Sequence, residues 1–221
     1  MTFIPQDSLT EQIARYLGHQ IITGHLKPGE RIQEMRIASE LNVSRGSVRE
    51  ALLILARRHL IEILPRRGAV VSALTEVEIR SLYELWFMLL KKVAMNAAIM
   101  WQDDELAQFT ALIKEMGEYA ERNDLERFYD KLSVFLTVIY PYANNSFMVQ
   151  VMEDLLPTGK RCSYMVFRLG KSELMRLYES FVHVMDKVLK RDAEGAGQLV
   201  EQIGAEQLKL ALDALRVQVA Q

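Results

Sequence analysis

At 221 residues, half of them hydrophobic, the chain carries enough apolar area for one large packed domain or two small ones. No apolar run approaches the roughly 20 residues that span a bilayer, and the N-terminal stretch MTFIPQDSLTEQIARY lacks the basic-then-apolar order of a secretion signal. No membrane partner is therefore expected, and a cytoplasmic location is. The formal net charge of −2 conceals an asymmetry: residues 1–75 hold 10 Lys and Arg against 7 Asp and Glu, the rest 17 against 22. A basic head on an acidic body suits a nucleic-acid contact made by the head alone.

Leu9, Ile13, Leu17 and Ile21 recur every four residues, which predicts an amphipathic helix over Thr10 to Thr23, stopped at Gly24. Pro28 and Gly29 turn the chain before a short second helix, Gln33 to Leu41, with Ile37, Ala38 and Leu41 inward. Asn42 tolerates the left-handed turn that must follow. Ser44 then caps a third helix running to about Arg58, whose inner face is Val48, Ala51, Leu52 and Leu55. Two short β-rich runs, Leu60 to Leu64 and Ala69 to Val71, flank the basic turn Pro65-Arg66-Arg67-Gly68 and make a hairpin. Three helices and a hairpin form a winged helix-turn-helix, and Ser72 to Thr75 is a short linker. From Thr75 onward the periods are helical. Breakers at Arg122 to Asp124, Pro141 to Asn145, Pro157 to Gly159, Gly170 and Arg191-Asp192 divide the body into a bundle of six or seven helices. The expected fold is mainly α, with domains at 1–73 and 74–221.

In a helix-turn-helix the second helix of the motif enters the major groove N-terminus first. With Ser44 as cap, Arg45 and Arg49 face outward while Val48, Ala51 and Leu52 face the core. Arginine makes paired hydrogen bonds to guanine or holds a phosphate with its fork. Ser44 and Ser47 add hydroxyls, and Arg66 and Arg67 at the wing tip reach the backbone or minor groove, with Gly68 permitting close approach. The plainer alternative pairs these arginines with Glu40, Glu50 or Glu62.

The head resembles the GntR family of transcription regulators. The matching residues are Leu26, Pro28-Gly29, Arg31, Glu34, Ile37-Ala38, Leu41, Val43-Ser44-Arg45, Val48 to Leu52, Leu55, Leu60 and Arg66 to Val70. Two departures stand out. Met35 occupies a position where the family often has arginine, so Arg36 beside it takes over that contact. Gly46 replaces the usual Thr or Pro and offers no side chain.

The helical body resembles the FadR subfamily effector (FCD) domain. That resemblance implies a homodimer on a palindromic double-stranded operator, a repressor whose grip changes when a small metabolite binds. It also implies a metal held by one Asp and three His, yet the body contains only His183, and the matching positions fall near Leu132, Leu136, Phe181 and Ile203. No metal and no cofactor are expected. The frequent Arg and Glu of the first long helix appear as Trp86 and Leu90, and Tyr129 with Asp124 is the polar pair nearby. Two readings stay open: an apolar pocket for an acyl ligand, or a filled core that only dimerises. Arg161, Tyr164 and Arg168, spaced for one helical face, either anchor the carboxylate of a small organic acid or form a solvated face.

No nucleophile, base or metal set suggests an enzyme. His19, His25 and His59 suit surface or packed roles, Cys162 suits packing, and Gly195, Gly197 and Gly204 follow no strand and so form no nucleotide loop. The competing reading from another class is a helical scaffold protein whose winged helix contacts protein.

Overall fold

The computed structural model describes residues 8–167 and 172–219. They form two compact units, one made of the residues up to Thr75 together with Glu153–Tyr164, the other of Glu76–Met152 and the residues from Met165 onward.

In the first unit, α1 (Leu9–Ile22) starts at Ser8, whose hydroxyl oxygen accepts from the Glu11 amide. α2 spans Glu34–Glu40 and α3 spans Arg45–Arg57. The turn between them closes through Asn42, at φ +53°. The Asn42 amide donates to Ser39 and the Val43 amide to Ala38, so the last carbonyls of α2 are satisfied by a left-handed residue that asparagine tolerates. The same device ends α3. His59 sits at φ +56°, and the Leu60 amide donates to Leu55. β1 (Ile61–Leu64) pairs antiparallel with β2 (Gly68–Val71), Leu64 opposite Gly68. Arg31 adds a bridge to Val70, a third edge that the sequence pattern did not announce. Ile13, Leu17 and Ile21 of α1 bury with Ile37, Ala38 and the expected α3 face of Val48, Ala51, Leu52 and Leu55.

The second unit is built from α4 (Glu76–Met100), α5 (Leu106–Glu121), α6 (Leu125–Ile139), α8 (Ser172–Leu189) and α9 (Ala193–Val219), with short 3-10 turns at Asp103–Glu105 and Tyr140–Ala143. α9 packs along α4. A Cβ added at Gly204 would lie 2.6 Å from Cγ of Phe87, and one added at Gly197 would lie 2.9 Å from Cγ of Met95. These glycines thus serve close helix approach. Gly195 belongs to the start of α9, where its amide donates to the Asp192 carboxylate at 2.9 Å.

Arg191 and Trp101 lock two helix ends to each other. The Trp101 indole donates to the carbonyl of Val188 at 3.1 Å. The Arg191 guanidinium donates to the Trp101 carbonyl at 3.1 Å and lies 4.6 Å from the indole centroid. The Val188 carbonyl also accepts from the Arg191 amide at 3.0 Å, so the indole is its second donor at the end of α8.

The remaining helix, α7 (Ser146–Phe167), corrects the sequence expectation of a break at Pro157-Thr158-Gly159, because it runs through Pro157 unbroken. Proline removes one helical hydrogen bond and crowds the preceding turn, at a cost of about 3 kcal/mol in an isolated helix. Here the flanking residues are held by tertiary partners: Thr158 and Arg161 are buried and hydrogen-bonded. The expected break at Gly170 lies outside the described residues.

Candidate nucleic-acid interface

The interface is organised by the start of α3. Ser44 adopts extended backbone, φ −71° and ψ 148°, and its Oγ accepts from the Ser47 amide at 3.0 Å. The two hydroxyls also share a hydrogen bond of 2.9 Å. Ser44 is therefore engaged first as a cap. Four residues on, Val48 is fully buried, which turns Arg45 and Arg49 outward. The Arg45 side chain is 65% exposed. Gly46 is open: a Cβ there would meet nothing closer than Ser44 Oγ, at 3.6 Å.

The carboxylates that the sequence offered as partners are mostly occupied elsewhere. Glu40 accepts from the Tyr16 hydroxyl at 2.9 Å, a bond that raises the tyrosine pKa above its usual value, with partial desolvation and the Glu40 charge adding to it. Glu50 accepts from the Thr10 hydroxyl at 3.2 Å. Arg45 instead lies 3.6 Å from Glu34, at the start of α2. Sequence reasoning missed Glu34 as a partner, since eleven residues separate the two and only the packing of α2 on α3 brings them together.

At the wing, Leu64 accepts from the Arg67 amide, closing a tight turn over Pro65 and Arg66. Arg66 takes φ +64°, a conformation that glycine or asparagine normally fills. Arg67 and Gly68 are exposed beside it, Gly68 at φ +76° with nothing within 4 Å of where a Cβ would lie. Arg36 is exposed on α2, and Met35 next to it is 67% exposed. The structure thus brings Ser44, Arg45, Ser47 and Arg49 together on one helix start, and Arg66, Arg67 and Gly68 together at the wing.

The ten residues singled out for a ligand pocket fall into separate places. Tyr129, Leu132 and Leu136 are buried on α6, while Trp86 and Leu90 on α4, Phe181 on α8 and Ile203 on α9 are half-buried. Phe181 packs its ring 6.0 Å from that of Phe135. Arg161 and Tyr164 belong to the first unit, where Arg161 donates to the Ser72 carbonyl at 2.9 Å. Arg168 lies outside the described residues. An open groove of about 560 Å³ between α5 and α8, walled by Phe109, Ile113, Tyr178, Val182 and Met185, shares no residue with that set. Among the described residues no group of three His, Cys, Asp or Glu side chains is placed to hold a metal ion. Leu132, Leu136, Phe181 and Ile203 offer no donor atoms, so these residues do not fit the metal that the FCD resemblance implies.

Cys162 is fully buried, and burial pushes its thiol up to about 12, with the nearby Arg161 charge opposing only in part. A thiol so placed stays protonated and unreactive. No helix among the described residues is long and apolar enough to cross a membrane.

Comparison with known proteins converges with this geometry. The family model for bacterial regulatory proteins of the gntR family matches residues 9–71, and the FCD domain model matches residues 81–205. The chain is 26% identical over 201 residues to the HTH-type transcriptional regulator McbR of Escherichia coli K12, covering 89% of each. It is 29% identical over 176 residues to the gluconate operon transcriptional repressor of Bacillus subtilis, covering 79% of this chain and 70% of the relative. The solved structure of E. coli McbR/YncC superposes with a TM-score of 0.79 at 22% identity, over 94% of this chain and 99% of the other. The chain belongs to the GntR family of DNA-binding transcription regulators, with an FCD domain following its winged helix-turn-helix.

Proposed function

We propose that this regulator is a cytoplasmic homodimeric repressor that reads a palindromic operator and releases it when a small organic acid or acyl compound binds the FCD region. The DNA-reading domain is residues 1–73 and the effector and dimerisation domain is 74–221. Arg45 and Arg49 read base edges, Arg36, Ser44 and Ser47 hold phosphates, and Arg66, Arg67 and Gly68 meet the backbone or adjacent minor groove. One observation carries this reading. The Ser44 cap fixes the start of α3 while the buried Val48, Ala51 and Leu52 force both arginines outward. Repression is supported by relatives named as repressors, and effector binding by the FCD match. The regulator needs no metal and carries no catalytic activity of its own.

A filled core that only dimerises is the second reading, favoured by the burial of Tyr129, Leu132 and Leu136. Selection of genomic fragments by the purified protein, followed by a thermal-shift screen of organic acids and acyl compounds, tests both. The proposal expects an inverted repeat with half-sites about one helical turn, roughly 10 base pairs, or a multiple apart. It also expects at least one compound that raises Tm and weakens DNA binding. Half-sites without two-fold symmetry would remove the dimer reading, and a screen with no stabilising compound would favour the filled core.

A further inference from the structure

The far end of α3 is held by a helix 100 residues away in sequence. α3 ends at Arg57 and is capped by Arg58, whose carbonyl has no partner within the helix. Thr158 Oγ1 donates to that carbonyl at 2.9 Å. One turn earlier on α7, Asp154 Oδ1 accepts from Nε of Arg57 at 3.0 Å. One turn later, Arg161 donates to the carbonyl of Ser72 at 2.9 Å, where the chain leaves the wing for α4. Residues 154, 158 and 161 are spaced four and three apart, so they share one helical face. Thr158 is 6% exposed and Arg161 5%. A buried guanidinium that donates to a backbone carbonyl fixes position at considerable desolvation cost.

We infer that Asp154, Thr158 and Arg161 are positioning residues for DNA reading, holding the C-terminal end of the recognition helix and the linker so that Arg45 and Arg49 meet the groove at a fixed depth. The inference rests on the DNA-reading role proposed for those two arginines. Asp154 and Thr158 bond the end of α3 opposite to the two arginines and Arg161 bonds the linker, so their proposed role is not contact with base or phosphate. They act by setting the axis of α3, whose other end is fixed by the Ser44 cap. α7 is also the helix whose first and last residues, 146–152 and 165–167, belong to the second unit. The chain segment that grips the recognition helix is therefore continuous at both ends with the FCD region.

The test uses full-length protein and compares Thr158→Val, which keeps the shape without the donor, with Thr158→Ser, which keeps the donor. Binding is measured to a selected specific duplex and to a scrambled duplex over a range of salt, alongside Tm. Losing one such part-buried hydrogen bond is expected to lower specific affinity on the order of threefold to tenfold. Scrambled-duplex affinity and the salt slope stay at wild-type values, because no phosphate contact is lost. Thr158→Ser binds as wild type. Asp154→Asn, at the more exposed edge of the same face, serves if Thr158→Val folds poorly, and is expected to lose roughly two- to threefold in specific binding alone. Wild-type specific binding by the folded variants, a parallel fall on both duplexes, or failure of Thr158→Ser to restore binding would each overturn the inference. Failure of the wild type itself to discriminate between the duplexes would instead overturn the DNA-reading proposal beneath it.

Discussion

Arg45, on the first turn of the recognition helix, lies 3.6 Å from the carboxylate of Glu34 on the preceding helix. The arginine is 65% exposed and the glutamate side chain 33% exposed, so the pair contributes at most about 1 kcal/mol to folding. Its consequence is for DNA. If Arg45 meets DNA as proposed, Glu34 draws the guanidinium toward α2 and repels phosphate at the same edge. Glu34→Gln is expected to leave Tm within a degree or two, since an exposed change costs on the order of 0.5 kcal/mol or less. It should strengthen binding to a scrambled duplex more than to the selected operator, lowering discrimination. Parallel titrations of both duplexes check this, and unchanged discrimination would remove Glu34 from the reading apparatus.

The wing turn separates conformation from charge. Arg66 occupies φ +64°, where a side chain costs roughly 1–2 kcal/mol relative to glycine. Arg66→Gly is therefore expected to keep or raise stability by up to about 1 kcal/mol while removing one cation from the proposed DNA surface. Denaturant unfolding should show the first effect. The salt dependence of DNA binding should show the second, as a slope shallower by about 0.9. A steeper or unchanged slope would mean that Arg66 faces no phosphate.

Two glycines respond oppositely to the same substitution. At Gly46 the space for a Cβ is open, so Gly46→Ala should stabilise α3 by about 0.5–1 kcal/mol. At Gly204 the new Cβ would meet the ring of Phe87 at 2.6 Å, so overpacking of about 1–3 kcal/mol outweighs the gain in helix propensity. Thermal unfolding of the two alanine variants distinguishes them by the sign of the change in Tm.

The start of α9 carries a pH dependence with two edges. Lys187 lies 2.9 Å from Asp192, which also accepts from the Gly195 amide, and both bonds hold the Asp192 carboxyl below the usual 3.8. The same bond to Asp192 raises the Lys187 ammonium above 10.5. The depressed carboxylate contributes stability that is present above pH 3.8 and lost as pH falls through its lower folded value. The raised ammonium contributes stability present below pH 10.5 and lost as pH rises through its higher folded value. Asp192→Asn keeps a cap for Gly195 and abolishes the ion pair, so both edges of the Tm–pH profile should flatten. Asp192→Ala should also lower Tm at neutral pH. Identical profiles for wild type and Asp192→Asn would show that solvent screens this exposed pair completely.

The winged helix was legible in the sequence because its signals are local. Asn42 tolerates left-handed backbone, Ser44 caps, and Val48, Ala51, Leu52 and Leu55 mark an inner face, and each took the expected role. The body was legible as helices but not in its connections. Pro157 and Gly159 read as a break because local propensity opposes a helix there, whereas the donors of Thr158 and Arg161 find partners near residues 58 and 72. Sequence spacing cannot reveal bonds made across such a distance. For the same reason Glu34 was hidden as the partner of Arg45, and Arg161 was read on its own helical face without sight of the Ser72 carbonyl.

In the proposed complex Arg49, turned outward by the buried Val48 and Leu52, reads sequence and not merely charge. The most direct test of this role is the affinity of wild type and Arg49→Ala for a selected operator and a scrambled duplex at two salt concentrations. A paired contact to guanine predicts a loss of about 1–3 kcal/mol on the operator, with a far smaller loss on the scrambled duplex. Equal, weak and equally salt-sensitive binding of both duplexes by both proteins would contradict it.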